Sequence, residues 1–198
     1  MTPMAPTAST GRLTETGTMN PEQTLAHWRA EESEVRERLA ERAGYVRAEQ
    51  LDGRSGIQTL QAIFAGELPS PPMADTLGFV PIRIEHGLAV FQGKPDFRYY
   101  NPLGTVHGGW FAALLDSAMG CAVHSTLPAA KGYTTLELKV NLVRSLTDAV
   151  PLVRAEGILV HSGRQVATAE GRIVGPDTKL YAHATTTCLI FDRPNSAV

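Results

Sequence analysis

The densest apolar stretch of the chain, residues 106–123, runs through Trp110, Phe111, Leu114, Leu115, Met119 and Val123 with scarcely a polar residue on any helical face. Such a segment reads as a helix buried on all sides. It is too short, and with its paired glycines, Asp116 and Ser117 too polar, to cross a membrane. Downstream the period changes from helical to two. Residues 134–142 alternate, with Leu136, Leu138, Val140 and Leu142 on one predicted face and Thr135, Glu137, Lys139 and Asn141 on the other. Three more strand candidates, 152–160, 165–174 and 180–191, follow behind the turn signals His161-Ser162-Gly163-Arg164 and Gly175-Pro176-Asp177. Upstream, residues 79–85 and 88–92 flank His86-Gly87 as a hairpin.

Before the hairpin the pattern is helical again. Leu25, Trp28, Val35, Leu39, Ala43 and Val46 recur at intervals of three, four or seven, behind an Asn20-Pro21 start signal, and predict one amphipathic helix over 21–52. Ile57, Leu60, Ile63 and Phe64 predict a second, over 55–66, ended by Leu68-Pro69-Ser70-Pro71-Pro72. The order is therefore a helical extension, two strands, one buried helix and four strands on short turns. That order gives an α+β fold in which an antiparallel sheet wraps the lone central helix. We divide the chain into a disordered tail (1–20), the helical extension (21–76) and the main domain (77–198).

Charge adds little attraction for nucleic acid or membranes: 18 Lys and Arg stand against 20 Asp and Glu in 198 residues. The extension is its most acidic part, with five arginines against eight carboxylates over residues 21–52. Two cysteines, Cys121 and Cys188, read as small core residues in a reducing compartment rather than as a disulfide framework. The Thr-, Ala- and Pro-rich start lacks the apolar core of a secretion signal, so the expected location is the cytoplasm.

Candidate chemistry centres on Asp116. An aspartate in an otherwise apolar helix is paired or used, and burial would favour its neutral form, as suits a general base; a purely structural aspartate is the competing reading. At the start of the same helix, His107-Gly108-Gly109 leaves backbone N–H groups uncovered at the positive end of the helix dipole, where a developing oxyanion is stabilised. Eight residues separate Gly108 from Asp116, about 12 Å along a helix axis. One helix cannot bring both to a single carbonyl carbon, so the pair needs two chains meeting head to tail. Serine-hydrolase elbows, phosphate loops, Rossmann glycines and paired metal-ligand motifs are not found, and no metal or cofactor is expected.

The run Asn101-Pro-Leu-Gly-Thr-Val-His107-Gly108-Gly109, then Asp116, then Gly132-Tyr-Thr-Thr135-Leu-Glu-Leu138, resembles the hotdog-fold acyl-CoA thioesterases of the phenylacetic-acid-degradation (PaaI-like) type, over residues 77–191. The resemblance implies a central helix wrapped by a curved sheet, paired protomers, and active sites between them in a dimer or dimer of dimers. It further implies that Gly108 N–H receives the thioester carbonyl, that Asn101 orients the carbonyl or water, and that the partner's Asp116 activates water or attacks directly. Thr135, or Thr134 beside it, matches a position that holds the lytic water, although threonine suits a strand on propensity alone. His107 reads chiefly as a group fixing the helix start, and Asn101 outside the motif as a turn former. An acyl-CoA ligand carries phosphates, for which Arg144, Arg164 and Lys139 are candidates, with Gly163 permitting close backbone approach. Trp110, Phe111 and residues 68–73 are candidates for the acyl pocket. The alternative is a non-catalytic acyl-CoA sensor.

Overall fold

The computed structural model describes residues 19–39 and 43–193, so the expected tail lies outside the described residues but for Met19 and Asn20. Helix α5 (Gly108–His124) is the axis of the molecule. Around it lies a single antiparallel sheet of β1 (Phe79–Glu85), β2 (Leu88–Gly93), β3 (Lys131–Leu142), β4 (Val153–Ser162), β5 (Val166–Val174) and β6 (Leu180–Asp192), in the order β1-β2-β4-β5-β6-β3. The predicted strands are all present, most within a residue or two of the expected ends; β3 begins three residues earlier.

The sheet can wrap the helix because its inner face is built from small residues. Ala155 and Gly157 of β4, Ala167, Ala169 and Gly171 of β5, and Ala182 and Ala184 of β6 line it, and the alanines are nearly or fully buried. The helix supplies the bulk, with Phe111, Leu114, Leu115 and Met119 buried. A Cβ on Gly157 would lie 2.4 Å from the Ala118 carbonyl, and one on Gly171 2.9 Å from Met119. At Gly157 the helix backbone itself rests on the strand.

Burial of α5 is not complete, contrary to the all-round expectation. Ala112, Ala113, Asp116, Ser117, Cys121 and His124 form a half-exposed flank at helical spacing, along the side the sheet leaves open. Cys121 is therefore half-buried, whereas Cys188 is buried; both are free thiols.

β3 also departs from its alternation. Thr135 pairs with Cys188 and Glu137 with Thr187, so Leu136 is the extra residue of a β-bulge. The bulge reverses the parity of the strand: Tyr133 and Thr135 before it face α5, as do Leu138 and Val140 after it. The expected faces hold only beyond the bulge, and Leu136 and Leu142 are left 60% and 52% exposed.

The extension consists of α1 (Pro21–Arg38), α2 (Ala48–Leu51), α3 (Gly56–Phe64) and α4 (Pro72–Leu77). The single helix expected over 21–52 is thus cut at Arg38. The chain turns away so that Gly44 N–H reaches the Ser70 carbonyl at 2.8 Å, and Ala43 and Val46 leave the stripe. Asn20 caps α1 through a reciprocal pair with Gln23. The helix lies on the sheet face opposite α5, where Val35 packs with Val80, Ile82 and Val90. Buried polar groups fix it there. Arg154 donates to Gln92 Oε1 at 2.9 Å and Glu31 Oε2 at 2.7 Å, with its guanidinium 4.5 Å from the centre of the Trp28 ring, while Gln92 donates to Glu32 at 2.6 Å. α4 was not anticipated; a first-turn proline starts it and Gly78, at φ 71°, ends it. α3 docks on the far end of α5, where Gly56 N–H bonds the Leu127 carbonyl and a Cβ on Gly56 would collide with the His124 carbonyl.

Two predictions follow from this packing. Gly157→Ala drives a methyl into the backbone of α5, and chemical denaturation should show a loss of about 3 kcal/mol or more. His124, enclosed beside Tyr133, has its pKa lowered to about 4, by burial first and by Arg193 second. Its ordinary value is about 6.5. Between these values the unfolded chain binds a proton that the folded chain resists, so this contribution to stability is complete above about pH 6.5 and falls away toward pH 4. Wild type should lose on the order of 2 kcal/mol more than His124→Gln between pH 7 and 4.5, measured by denaturant titration at each pH.

Candidate active site

Asn101, Gly108 and Arg144 come together at the N-terminal end of α5. The segment before the helix is tied to the 143–148 loop, since Val106 N–H donates to the Leu146 carbonyl and Tyr100 Oη to Asp148 Oδ1. His107 is the N-cap, and its Nδ1 accepts the Gly109 N–H at 2.9 Å. That bond places the ring proton of a neutral imidazole on Nε2. A Cβ on Gly109 would sit 3.0 Å from the same nitrogen, a contact tight enough to shift the ring. Gly108 N–H, in contrast, has no hydrogen-bond acceptor among the described residues. It borders a cavity of about 250 Å³ lined by Asn101, Thr105, Phe111, Leu142, Arg144 and Leu146, among others. The result is a donor at the positive end of a 17-residue helix, available to an oxygen that carries or develops negative charge.

The Asn101 side chain works within its own loop. Its Oδ1 accepts from Leu103 N–H at 2.9 Å and its Nδ2 donates to Thr105 Oγ1 at 3.0 Å. These bonds fix the loop next to Gly108.

Asp116 lies two turns further along, on the half-exposed flank. Thr135 Oγ1 donates to its Oδ1 at 2.9 Å, a bond made possible by the β3 bulge. Thr134 is exposed and points away from α5, which decides between the two threonines as partners of Asp116. The carboxylate opens into a larger cavity, about 460 Å³, which also touches Ser117, Cys121, Tyr133, Phe79 and Phe91. Burial pushes the Cys121 thiol up to about 12, with the Asp116 charge adding to the effect, which disfavours the nucleophilic thiolate at neutral pH. Tyr133 is likewise held well above the ordinary phenol value by burial.

The two groups of residues occupy different cavities of the same chain. The lining of the Gly108 cavity does not include Asp116, and that of the Asp116 cavity does not include Gly108 or Asn101. Of the phosphate candidates, Arg144 lies at the Gly108 cavity and is exposed. Arg164 and Gly163 are not there. They sit in the β4–β5 turn near the other end of α5, where Ser162 meets Thr126 at 3.5 Å, and Arg164 is exposed. Lys139 is exposed on β3. Trp110 borders neither cavity; it is buried against Phe79 and Tyr99, and Phe111 lines the smaller one.

Sequence reasoning did not find Tyr133, Cys121 or the contributions of α1 and α3, whereas Ser70, Pro71 and Met73 of the 68–73 candidate segment do line the larger cavity. One signal for Tyr133 was present: Gly120 interrupts the helix where a Cβ would lie 2.7 Å from the Tyr133 hydroxyl. Among the described residues no group of His, Cys, Asp and Glu converges to hold a metal ion, and no helix is long and apolar enough to cross a membrane.

Comparison with known proteins agrees with this fold. The family model described as thioesterase superfamily matches residues 103–182, from the loop before α5 into β6. Among solved structures, a phenylacetic acid degradation-related protein of Ralstonia eutropha is 31% identical with a TM-score of 0.60; the match covers 65% of this chain and 97% of that one. A mutant of the phenylacetic acid degradation protein PaaI of Thermus thermophilus is 28% identical, TM-score 0.54, over 60% of this chain and 97% of the other. PaaI of E. coli, at 20% identity and TM-score 0.56 over 61% and 85%, shares the fold. Functionally curated proteins give no match. A central helix in a six-stranded antiparallel wrap, the superfamily match through its core, and a 31%-identical relative covered almost end to end identify the chain as a member of the thioesterase superfamily, of the hotdog-fold, PaaI-like type.

Proposed function

We propose that the protein is a cytoplasmic acyl-CoA thioesterase that hydrolyses a small or medium acyl- or aryl-CoA to the free acid and CoA, working as a homodimer or a dimer of dimers. The observation that carries this reading is the split of the machinery into two half-sites: an unpaired Gly108 N–H in one cavity, an oriented carboxylate in another. Two antiparallel copies of α5 unite the N-terminus of one with the Asp116 flank of the other. The free edge of β3 and its exposed Leu136 and Leu142 support pairing of two such chains. The two cysteines, both thiols, suit a reducing compartment.

In this mechanism the thioester carbonyl oxygen accepts the Gly108 N–H, and Asn101 keeps the loop that presents it. The partner subunit's Asp116, with Oδ1 held by Thr135, takes a proton from water as the water oxygen bonds the carbonyl carbon. Attack by the carboxylate itself, followed by hydrolysis of the anhydride, uses the same geometry. The tetrahedral oxyanion rests on the helix N-terminus until the C–S bond breaks and the CoA thiolate leaves, taking up a proton. A thiolate is a good leaving group, so the site needs no strong general acid. Arg144, at the mouth of the Gly108 cavity, pairs with the phosphates of CoA; Arg164, with Gly163, reaches them only from the other subunit.

Residue 108 is the first helical position and His107 before it is extended, so Gly108→Pro removes the N–H without breaking the helix. Gly108→Pro and Asp116→Asn should each lower thiol release from acyl-CoA at least about a hundredfold while the dimer persists in light scattering. Unfolding and refolding the two variants together should restore about a quarter of wild-type activity, because half the dimers then carry one intact site. No recovery would place both groups in one chain. An acyl-CoA that binds wild type without any thiol release would instead support the sensor. Thr135→Val should reduce kcat roughly ten- to a hundredfold with little change in KM, as steady-state kinetics will show, because the hydroxyl holds the carboxylate rather than the substrate.

A further inference from the structure

The larger cavity is bounded by two parts of the chain with different histories. Asp116, Ser117, Phe79 and Phe91 belong to the sheet and central helix, which the solved relatives share. The opposite wall is Leu39 of α1, Leu60, Ile63 and Phe64 of α3, and Met73 and Ala74 of α4. Those relatives are matched over 85–97% of their length by only 60–65% of this chain, little more than the span from β1 to β6. The shared fold thus leaves room for little of the extension, which is fixed where it can enclose space beside Asp116.

We propose that α1, α3 and α4 close a pocket for the acyl group of the thioester within the same chain, and that this added wall selects medium-length alkyl chains. The proposal rests on the reading of Asp116 given above. The carboxylate borders the cavity from the half-exposed flank of α5. The rest of the lining is largely aliphatic and aromatic, with Arg36, Met73 and Asp75 its exposed members. An acyl chain whose carbonyl is at Asp116 thus runs along side chains that offer burial and few polar partners. Its length follows from volume. If each carbon takes about the ~30 Å³ share that a water molecule has in the liquid, a cavity of about 460 Å³ holds about fifteen carbons at most, which admits a decanoyl chain and falls short of a palmitoyl chain. Each methylene added within that limit strengthens binding about fourfold at most, and a shorter acyl group leaves the cavity partly empty.

The test compares kcat/KM for butyryl-, decanoyl- and palmitoyl-CoA in wild type, Ile63→Trp, Met73→Trp and Phe64→Ala, together with calorimetric binding of decanoate to Asp116→Asn. Wild type should prefer decanoyl- to butyryl-CoA at least about tenfold. Ile63→Trp should lower that ratio by about tenfold or more, and Phe64→Ala should raise the palmitoyl-to-decanoyl ratio. Met73 is 59% exposed, so Met73→Trp keeps the fold and provides the reading if Ile63→Trp does not. Chain-length ratios that stay at wild-type values in folded Ile63→Trp and Met73→Trp overturn the pocket. If Asp116→Asn retains turnover, the catalytic reading fails separately, and decanoate binding that is abolished by adding Ile63→Trp still upholds the pocket.

Discussion

Everything in this molecule depends on how closely the sheet approaches α5. The strands that face it carry alanine and glycine where other sheets carry valine and isoleucine, and the large side chains come from the helix instead. That arrangement lets a short sheet curve around the helix until only one flank is uncovered. Asp116 lies on that flank, together with Ser117 and Cys121, since a carboxylate on any other face would be pressed against β4, β5 or β6. The same wrap holds the N-terminus of α5 against the 101–105 and 143–146 loops, which leaves Gly108 N–H open and His107 bound to Gly109.

A helix has one N-terminus and it lies two turns from Asp116, so within one chain the open Gly108 N–H and the carboxylate face different cavities. Neither end can be moved to the other without giving up the packing. Placing the carboxylate one turn from the N-terminus, at residue 112, would save the distance but set it far from β3 and from Thr135. The strand supplies the hydroxyl only at the level where its bulge turns Thr135 inward. The bulge also expels Leu136 onto the surface, where it adds to an apolar edge suited to a second chain. One extra residue in β3 thus accompanies both the turn of Thr135 toward Asp116 and the exposure of Leu136.

The alternation of β4 to β6, the hairpin and the apolar run of α5 were legible because each is set by burial on one face over many residues. The separation of Asp116 from Gly108 along one helix was legible from the length of a helix turn. What escaped was local or depended on distant partners. Strict alternation over residues 134–142 looks regular, and nothing in Thr135-Leu136-Glu137 announces the bulge; only pairing with Cys188 and Thr187 on β6 reveals it. α1 ends at Arg38 although Ala43 and Val46 continue the stripe, because Gly44 is claimed by the carbonyl of Ser70, 26 residues on. Trp110 looked suited to a ligand pocket, as aromatic residues near a functional glycine often do. Its ring is instead enclosed by Phe79, Tyr99 and Gly93, and its Nε1 is used by the Leu77 carbonyl.

The manner in which α1 is held bears on the wall it contributes. Its apolar contact with β1 and β2 is narrow, and by itself would tolerate sliding by a turn. The pairing of Arg154 with Glu31, and of Gln92 with Glu32 and Arg154, does not. Arg154 is 5% exposed, and a displaced α1 would leave its charge buried without a partner, a cost of about 3–5 kcal/mol. The desolvation of the paired groups cancels much of their attraction, so this network adds little net stability. Its effect is on register: with Glu31 and Glu32 fixed, Leu39 falls two turns later at the edge of the Asp116 cavity, and Arg36, bonded to Glu32, lies at its rim. An apolar helix face could attach the extension to the sheet, but only the charged pairs determine which residues of the extension meet the site.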